Sequence, residues 1–492
     1  MSAYATLERR FERLSAIGHA LSILSWDRSV MMPTGANAGR GDSMAGLEVM
    51  AHELLADPVV ADLLAEAEAA PPDEPWARAN LAEMRRAHIR ATAVPAGLVG
   101  ALAKATSRCE MTWRRARPAA DFQALAAELA EVVSLTRATA AAKGEALGLD
   151  PYDALLDDYQ PGVHRSHIDT IFAELAEALP QHLARIVERQ VPPRKAAITF
   201  PAAQQRDLAL DLMAKVGFDF EQGRLDESAH PFCGGNPDDI RMTTRWDERD
   251  VATGLMGVLH ETGHALYEAG LPAAWRHQPV GRAGGMVLHE SQSLLIEMQA
   301  CRSPAFIGYL GHRLRLSFGD DTALGADNLL RLYHHVEPGL IRVDADEVTY
   351  PLHIVLRYRL EQDLIGGRIE VADLPEAWAA GMAELLGVKP PDDGVGCLQD
   401  IHWPVGAFGY FPSYSLGALL AAQLFQAAER AIPDLDTQLA KADFAPLLAW
   451  LRHHVHGRAR SVPFEQLVED ATGAPLGTSA FLAHLDRRYG GS

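Results

Sequence analysis

The chain has 492 residues, 48% hydrophobic and 22% charged, which is enough apolar material for a large core and excludes a disordered protein. A formal net charge of −20 argues against a phosphate-tracking surface, because nucleic-acid binding draws its affinity from clustered Lys and Arg. Nucleic acid is therefore not an expected partner.

In chain order, the N-terminal stretch "MSAYATLERRFERLSAIGHALSIL" mixes acids and bases where a signal peptide needs a continuous apolar core, and no apolar run reaches membrane-spanning length. A cytoplasmic protein without a membrane partner is expected. The four cysteines, Cys109, Cys233, Cys301 and Cys397, stand far apart with no CxxC pair, so buried free thiols are expected rather than disulfides or a thiolate zinc site. Ala- and Leu-rich segments at helical spacing recur throughout, as in "DFQALAAELAEVVSLTRATAAAKGEALG" and "DLPEAWAAGMAELLG". Pro/Gly punctuation at "APPDEPW", "AHPFCGGNPDD" and "VKPPDDGVGC" is too short to mark a linker, so one large, mostly α domain over residues 1–492 is expected. A small β-sheet is expected around Asp239 to Trp246, where Ile240, Met242, Thr244 and Trp246 alternate with Arg241, Thr243 and Arg245. Asp247 offers an N-cap, with Asp250 three positions on, for a helix that runs to Gly270 and Pro272.

That helix contains "VLHETGHALYEAGL". His260 and His264 are four apart, on one helical face, so both imidazoles can reach one ion. Glu261 lies about 100° around the helix from His260, where it can reach a bound water without being a ligand. A catalytic zinc needs a third ligand. "GGMVLHESQSLLIEMQACRSP" reads as a helix from after Gly284–Gly285 to before Pro304, with Glu290 near its start and His289 and Glu297 as alternatives.

HExxH followed by "HESQ" (His289 to Gln292) resembles the M32 metallocarboxypeptidases, the thermostable-carboxypeptidase or carboxypeptidase Taq group. Further motifs of that family stand in order: "HPF" from His230, "DIRMT" from Asp239, "IRVDAD" from Ile341 and "GCLQDIHW" from Gly396. The likeness extends through "LSWDRSVMMPTGA", "DEVTYPLHIVLRYRLEQDLI" and "GYFPSYSLGALLAAQLF", most of the chain. It implies His260, His264 and Glu290 as metal ligands and Glu261 as catalytic carboxylate. It also implies a helical body with a deep groove, of the neurolysin and angiotensin-converting-enzyme type, usually a homodimer. The expected metal is zinc, with cobalt as the alternative, since an N,N,O site accepts either.

The expected activity is release of single residues from peptides with a free C-terminus. By resemblance to the wider peptidase group, "HW…GYF" points to Tyr410 as oxyanion donor, with Tyr414 as alternative and His230 and His402 as further candidates. Reading a free carboxylate suits a bidentate guanidinium, and the match to IRxxAD selects Arg342; its competing role is an ion pair with Asp344 or Asp346. Arg241 is expected to brace or close one end of the groove. Asp346 or Asp400 is expected to orient a metal-bound histidine. The competing activities are an oligopeptidase or dipeptidyl carboxypeptidase with the same metal chemistry. A non-enzymatic helical scaffold would lack Glu261 or a ligand, and none is missing.

Overall fold

Helices in this chain start where a short polar side chain can satisfy the first free backbone amides: Ser2, Asp57, Glu74, Asp121, Asp150, Asp250 and Ser303 each accept from an amide two or three residues on. The computed structural model describes residues 2–229 and 231–490. Four N-terminal helices, α1 (Ala3–Val30), α2 (Asn37–Ala56), α3 (Pro58–Ala69) and α4 (Pro75–Thr92), gather a small apolar cluster of their own around Leu7, Phe11, Val60, Leu64, Leu81 and Met84. Five more precede the sheet: α5 (Ala96–Ala119), α6 (Phe122–Leu147), α7 (Pro151–Tyr159), α8 (Arg165–Arg189) and α9 (Ala202–Val216).

Three strands follow: β1 (Gly223–Glu227), β2 (Phe232–Asn236) and β3 (Asp239–Thr244). Their order is β1-β3-β2, with β1 parallel and β2 antiparallel to β3, so Leu225 and Cys233 both flank Met242. The strand expected to run to Trp246 ends at Thr244, because β1 ends beside it; the Ser228 amide makes the last bond, to the Thr244 carbonyl.

Then come α10 (Val251–Ala269), α11 (Met286–Leu294), α12 (Pro304–Phe318), α13 (Ala326–Tyr333), α14 (Tyr350–Ile365), α15 (Leu374–Leu386) and α16 (Pro412–Ala431), with four shorter helices between Leu435 and Tyr489. Two sequence expectations are corrected here. The N-cap of α10 is Asp250, whose Oδ1 accepts from the Ala252 and Thr253 amides, whereas Asp247 caps the preceding turn through the Arg249 amide. The helix expected from Gly285 to Ser303 is not uniform: α11 passes into a π-type segment, Leu295–Cys301, a wider turn that often accompanies a functional site. The main core runs from Ala105 in α5 to Leu485 in the last helix. No described helix is long and apolar enough to cross a membrane.

Candidate metal centre

Close contact between helices brings the candidate ligands together. A Cβ at Gly263 of α10 would stand 2.6 Å from the Gln292 carbonyl oxygen and the Ser293 Cα, so the glycine inside HETGH is what lets α11 lie against α10. On the opposite side of α11, a Cβ at Gly417 of α16 would stand 2.7 Å from the Cβ and Cγ of Glu290. Two glycines thus hold Glu290 between helices. Gln160 fixes the start of α11, donating to the Gly284 carbonyl and accepting from the Val287 amide.

His260, His264 and Glu290 each offer one ligand atom, and these atoms all lie within 4.8 Å of one another. His264 Nε2 is 3.7 Å from Glu290 Oε2, and the two imidazoles stand edge to face with centroids 5.0 Å apart. Two donors that share an ion at about 2 Å lie roughly 3–4 Å apart, a range that the His264–Glu290 pair meets, and the N,N,O chemistry fits zinc or a similar divalent cation.

The other ring nitrogens are engaged. His260 Nδ1 is 3.0 Å from Glu297 Oε2, and the other Glu297 oxygen takes Arg302. His264 Nδ1 is 2.7 Å from His289 Nδ1, and His289 Nε2 is 2.9 Å from Glu268 Oε1. Both chains have one consistent proton order: His260 Nδ1–H donates to Glu297, while His264 Nδ1–H donates to His289, whose Nε2–H donates to Glu268. Each leaves Nε2 of a candidate ligand free for the ion. Glu297 and His289, weighed in the sequence as ligands, therefore stand behind the histidines, in the place expected of Asp346 or Asp400. Those aspartates are committed elsewhere: Asp346 accepts from Val348, Thr349 and Glu337, and Asp400 holds arginines. Nothing in the local spacing signals Glu268 or Glu297, since their partners are 21 and 37 residues away.

Burial alone would lower the His260 pKa, but the hydrogen bond it donates to Glu297 and the charges of Glu290, Glu297 and Glu261 outweigh it and raise the imidazole to about 9. His264 is pushed well below its ordinary value, first by burial and then by His289 and His260. Burial raises the Glu261 carboxyl, with Glu290 adding to the rise and His260 opposing it. Glu261 is 9% exposed and takes no hydrogen bond among the described residues. Cys233 of β2 faces the same space, its thiol raised by burial and by the charges of Glu261 and Glu268. A cavity of about 680 Å³ opens beside Glu268, between α1 residues such as Ser15 and His19 and the Arg276–Arg282 segment.

Across from α10 stand the aromatic candidates. Tyr410 precedes α16 and Tyr414 lies in its first turn, with rings 5.1 Å apart; His402 Nε2 is 3.2 Å from the Tyr414 hydroxyl. Burial raises both tyrosines, Tyr414 to about 12, and the Glu290 charge pushes each the same way. Tyr350, at the start of α14, was not singled out from sequence. Its ring centroid lies 6.2 Å from that of Tyr414, which places it with the other two, and its hydroxyl is raised well above its usual value by burial and then by Glu290. His230 lies outside the described residues.

Arg342 is 7% exposed and pairs with neither Asp344 nor Asp346. Its Nε and Nη2 donate to Asp400 Oδ1 at 3.0 and 2.9 Å, and its guanidinium lies 5.0 Å over the Tyr414 ring. Arg241 instead forks onto Asp239, at 2.5 and 2.9 Å, and lies 4.5 Å over the Trp26 ring, so it ties the sheet to α1 rather than joining the three ligands.

The family model described as "Carboxypeptidase Taq (M32) metallopeptidase" matches residues 6–489. Thermostable carboxypeptidase 1 of Thermus thermophilus is 39% identical, covering 99% of this chain and 98% of that protein. Among solved structures, Trypanosoma cruzi metallocarboxypeptidase 1 superposes with a TM-score of 0.96 at 39% identity, covering 99% of each chain. The M32 carboxypeptidase from Deinococcus radiodurans gives 0.95 at 33%, again with 99% of each chain covered.

Proposed function

We propose that this chain, which belongs to the carboxypeptidase Taq (M32) family of metallopeptidases, releases single residues from the C-termini of peptides with zinc as its divalent ion. Membership makes it a metal-dependent carboxypeptidase, a peptide hydrolase. The ion and the cutting position are the parts proposed. The observation that carries them is the His260–His264–Glu290 cluster, with the carboxylate of Glu261, which takes no hydrogen bond among the described residues, on the next helical position, and with Arg342 buried against the Tyr414 ring.

His260 Nε2, His264 Nε2 and one Glu290 oxygen would hold the ion. A divalent ion held there would supply Lewis acidity, making the attacking water more acidic and the peptide carbonyl more electrophilic. Glu261 then acts through its own carboxylate oxygens, taking a proton from the attacking water and later returning it to the departing amine. The Tyr410 hydroxyl donates to the developing oxyanion, with Tyr414 and Tyr350 as neighbours able to replace it. Arg342 receives the α-carboxylate and so fixes the scissile bond one residue from the end.

A homodimer is carried from the family resemblance, and a cytoplasmic location from the sequence reading; all four cysteines are free thiols, as suits a reducing compartment. Sedimentation velocity tests the dimer. Function is tested by mass spectrometry of a mixed peptide pool with and without a chelator. Stepwise loss of single C-terminal residues, abolished by chelation, is expected. Release of dipeptides, or equal cutting of C-terminally amidated peptides, would instead make the protein a dipeptidyl carboxypeptidase or an oligopeptidase.

A further inference from the structure

Behind Arg342 lies a second buried arginine. Arg357 of α14 is 0% exposed, and its guanidinium donates to Asp400 Oδ2 (Nε, 2.7 Å), the His353 carbonyl (Nη1, 2.8 Å) and Gln399 Oε1 (Nη2, 2.7 Å). It lies 4.4 Å over the Trp378 ring. Asp400 is thus shared, Oδ1 to Arg342 and Oδ2 to Arg357, and Gln399 Oε1 also accepts from the Arg342 amide. Every nitrogen of the Arg357 guanidinium is engaged. Arg342 Nη1 has no protein acceptor among the described residues.

The charges do not balance within this hydrogen-bonded group; Glu290, whose charge also reaches Arg342, is counted with the ion it would ligate. Two buried guanidinium ions share one carboxylate. Asp400 stays ionised, held well below its usual range by Arg357 and Arg342 although burial opposes them. The neighbouring imidazoles add nothing, since burial lowers His353 to about 3 and His402 to about 4. Glu361, one turn along α14, lies within Coulombic reach of Arg357 but makes no hydrogen bond to it; it accepts from Tyr152, Trp403 and the Gly409 amide, and burial raises its carboxyl to about 7, so it offsets little of that charge. Were Arg342 and Asp400 alone, an arriving peptide carboxylate would leave the buried group net negative. With Arg357 present, the same carboxylate brings it to neutrality, and charges in a dry site are stable only when so matched.

We propose that Arg357 is a positioning residue for C-terminal recognition: it grips Asp400 from behind, fixes the Arg342 fork, and leaves the Arg342–Asp400–Arg357 array one positive charge in excess for the α-carboxylate of the peptide to complete. This rests on the reading of Arg342 as the carboxylate anchor, and it deepens that reading.

The test is steady-state kinetics of the zinc-loaded enzyme on a short peptide with a free C-terminus, with the same peptide amidated as inhibitor, and zinc content and melting temperature measured for each variant. Arg357→Gln keeps a donor for Asp400 but removes the charge. It should raise KM for the free acid on the order of 10- to 100-fold, with kcat within about threefold and inhibition by the amide unchanged. Arg357→Lys keeps the charge and loses the fork, and should raise KM about three- to tenfold. If Arg357→Gln does not fold, Arg357→Lys carries the test. An unchanged KM in either folded, zinc-loaded variant, a fall in kcat alone, or an equal loss for acid and amide would overturn the proposal. Arg342→Gln in the same assay separates the two levels. If discrimination between acid and amide survives Arg342→Gln, the anchor itself is wrong; if it is lost there but survives at position 357, only the role of Arg357 is.

Discussion

The metal side of the site and the carboxylate side are built in different ways. His260, Glu261, His264 and Glu290 stand on two helices pressed together at Gly263, and their mutual placement follows from helical pitch and one close crossing. Arg342, Arg357, Asp400, His402 and Tyr410 come from a 3-10 turn, a helix and an irregular loop, held by buried hydrogen bonds instead of by pitch. A regular element fixes its own residues, whereas a loop needs a rack behind it. Here α14 is that rack: Arg357 seats Asp400 and Gln399, and Glu361, one turn on, seats Trp403 and Gly409.

Substitutions can break one side while leaving the other intact. The largest effect belongs to Glu261→Gln, which keeps shape and both neighbours but removes the base. The metal is expected to remain at wild-type stoichiometry while kcat falls by roughly 10^4-fold, measured by metal analysis and turnover. Comparable turnover would remove Glu261 from the chemistry. Arg342→Gln should disable the carboxylate side alone, lowering kcat/KM on free-acid peptides by roughly 100-fold, mostly through KM, with the zinc affinity unchanged. Loss of zinc in that variant would mean the two sides are not separable.

On the metal side, Glu297→Gln leaves His260 Nδ1 with a weaker partner and Arg302 without its carboxylate. Zinc affinity is expected to fall by about 10- to 100-fold, read by competition with a chromogenic chelator, while KM at saturating zinc holds. Glu268→Gln should give a smaller loss, because Glu268 acts on His264 only through His289. A loss larger than that of Glu297→Gln would reverse the ranking of the two supports. Smallest of all, Asp250→Ala removes the cap of α10 and should cost about 1 kcal/mol of stability in thermal unfolding with kcat retained, since the cap lies at the far end of the helix from His264.

The same contrast governs what the sequence reveals. A mostly helical chain with a small sheet follows from periodicity, and the HExxH face from spacing, because both are local. The partners of those histidines do not, because Glu297 reaches His260 only through the crossing that Gly263 and Gly417 allow, and a glycine's close approach leaves no mark in hydrophobic periodicity. Arg342 is named by its motif, yet its true partner, Asp400, is 58 residues away, and the nearer Asp344 and Asp346 are misleading. The helix start was misplaced by three residues for a similar reason: two aspartates can each cap a turn, and only the backbone decides which turn becomes the helix. Tyr350 carries no signal of its own and joins the site only because α14 begins beside Glu290.

Zinc-edge anomalous diffraction from crystals of the protein supplied with one equivalent of zinc tests the central claim most directly. A single peak is expected within bonding distance of His260 Nε2, His264 Nε2 and a Glu290 oxygen, with Glu297 and His289 held back on the opposite ring nitrogens. A peak ligated by Glu297 or His289 in place of Glu290, or no peak among these side chains, would contradict it.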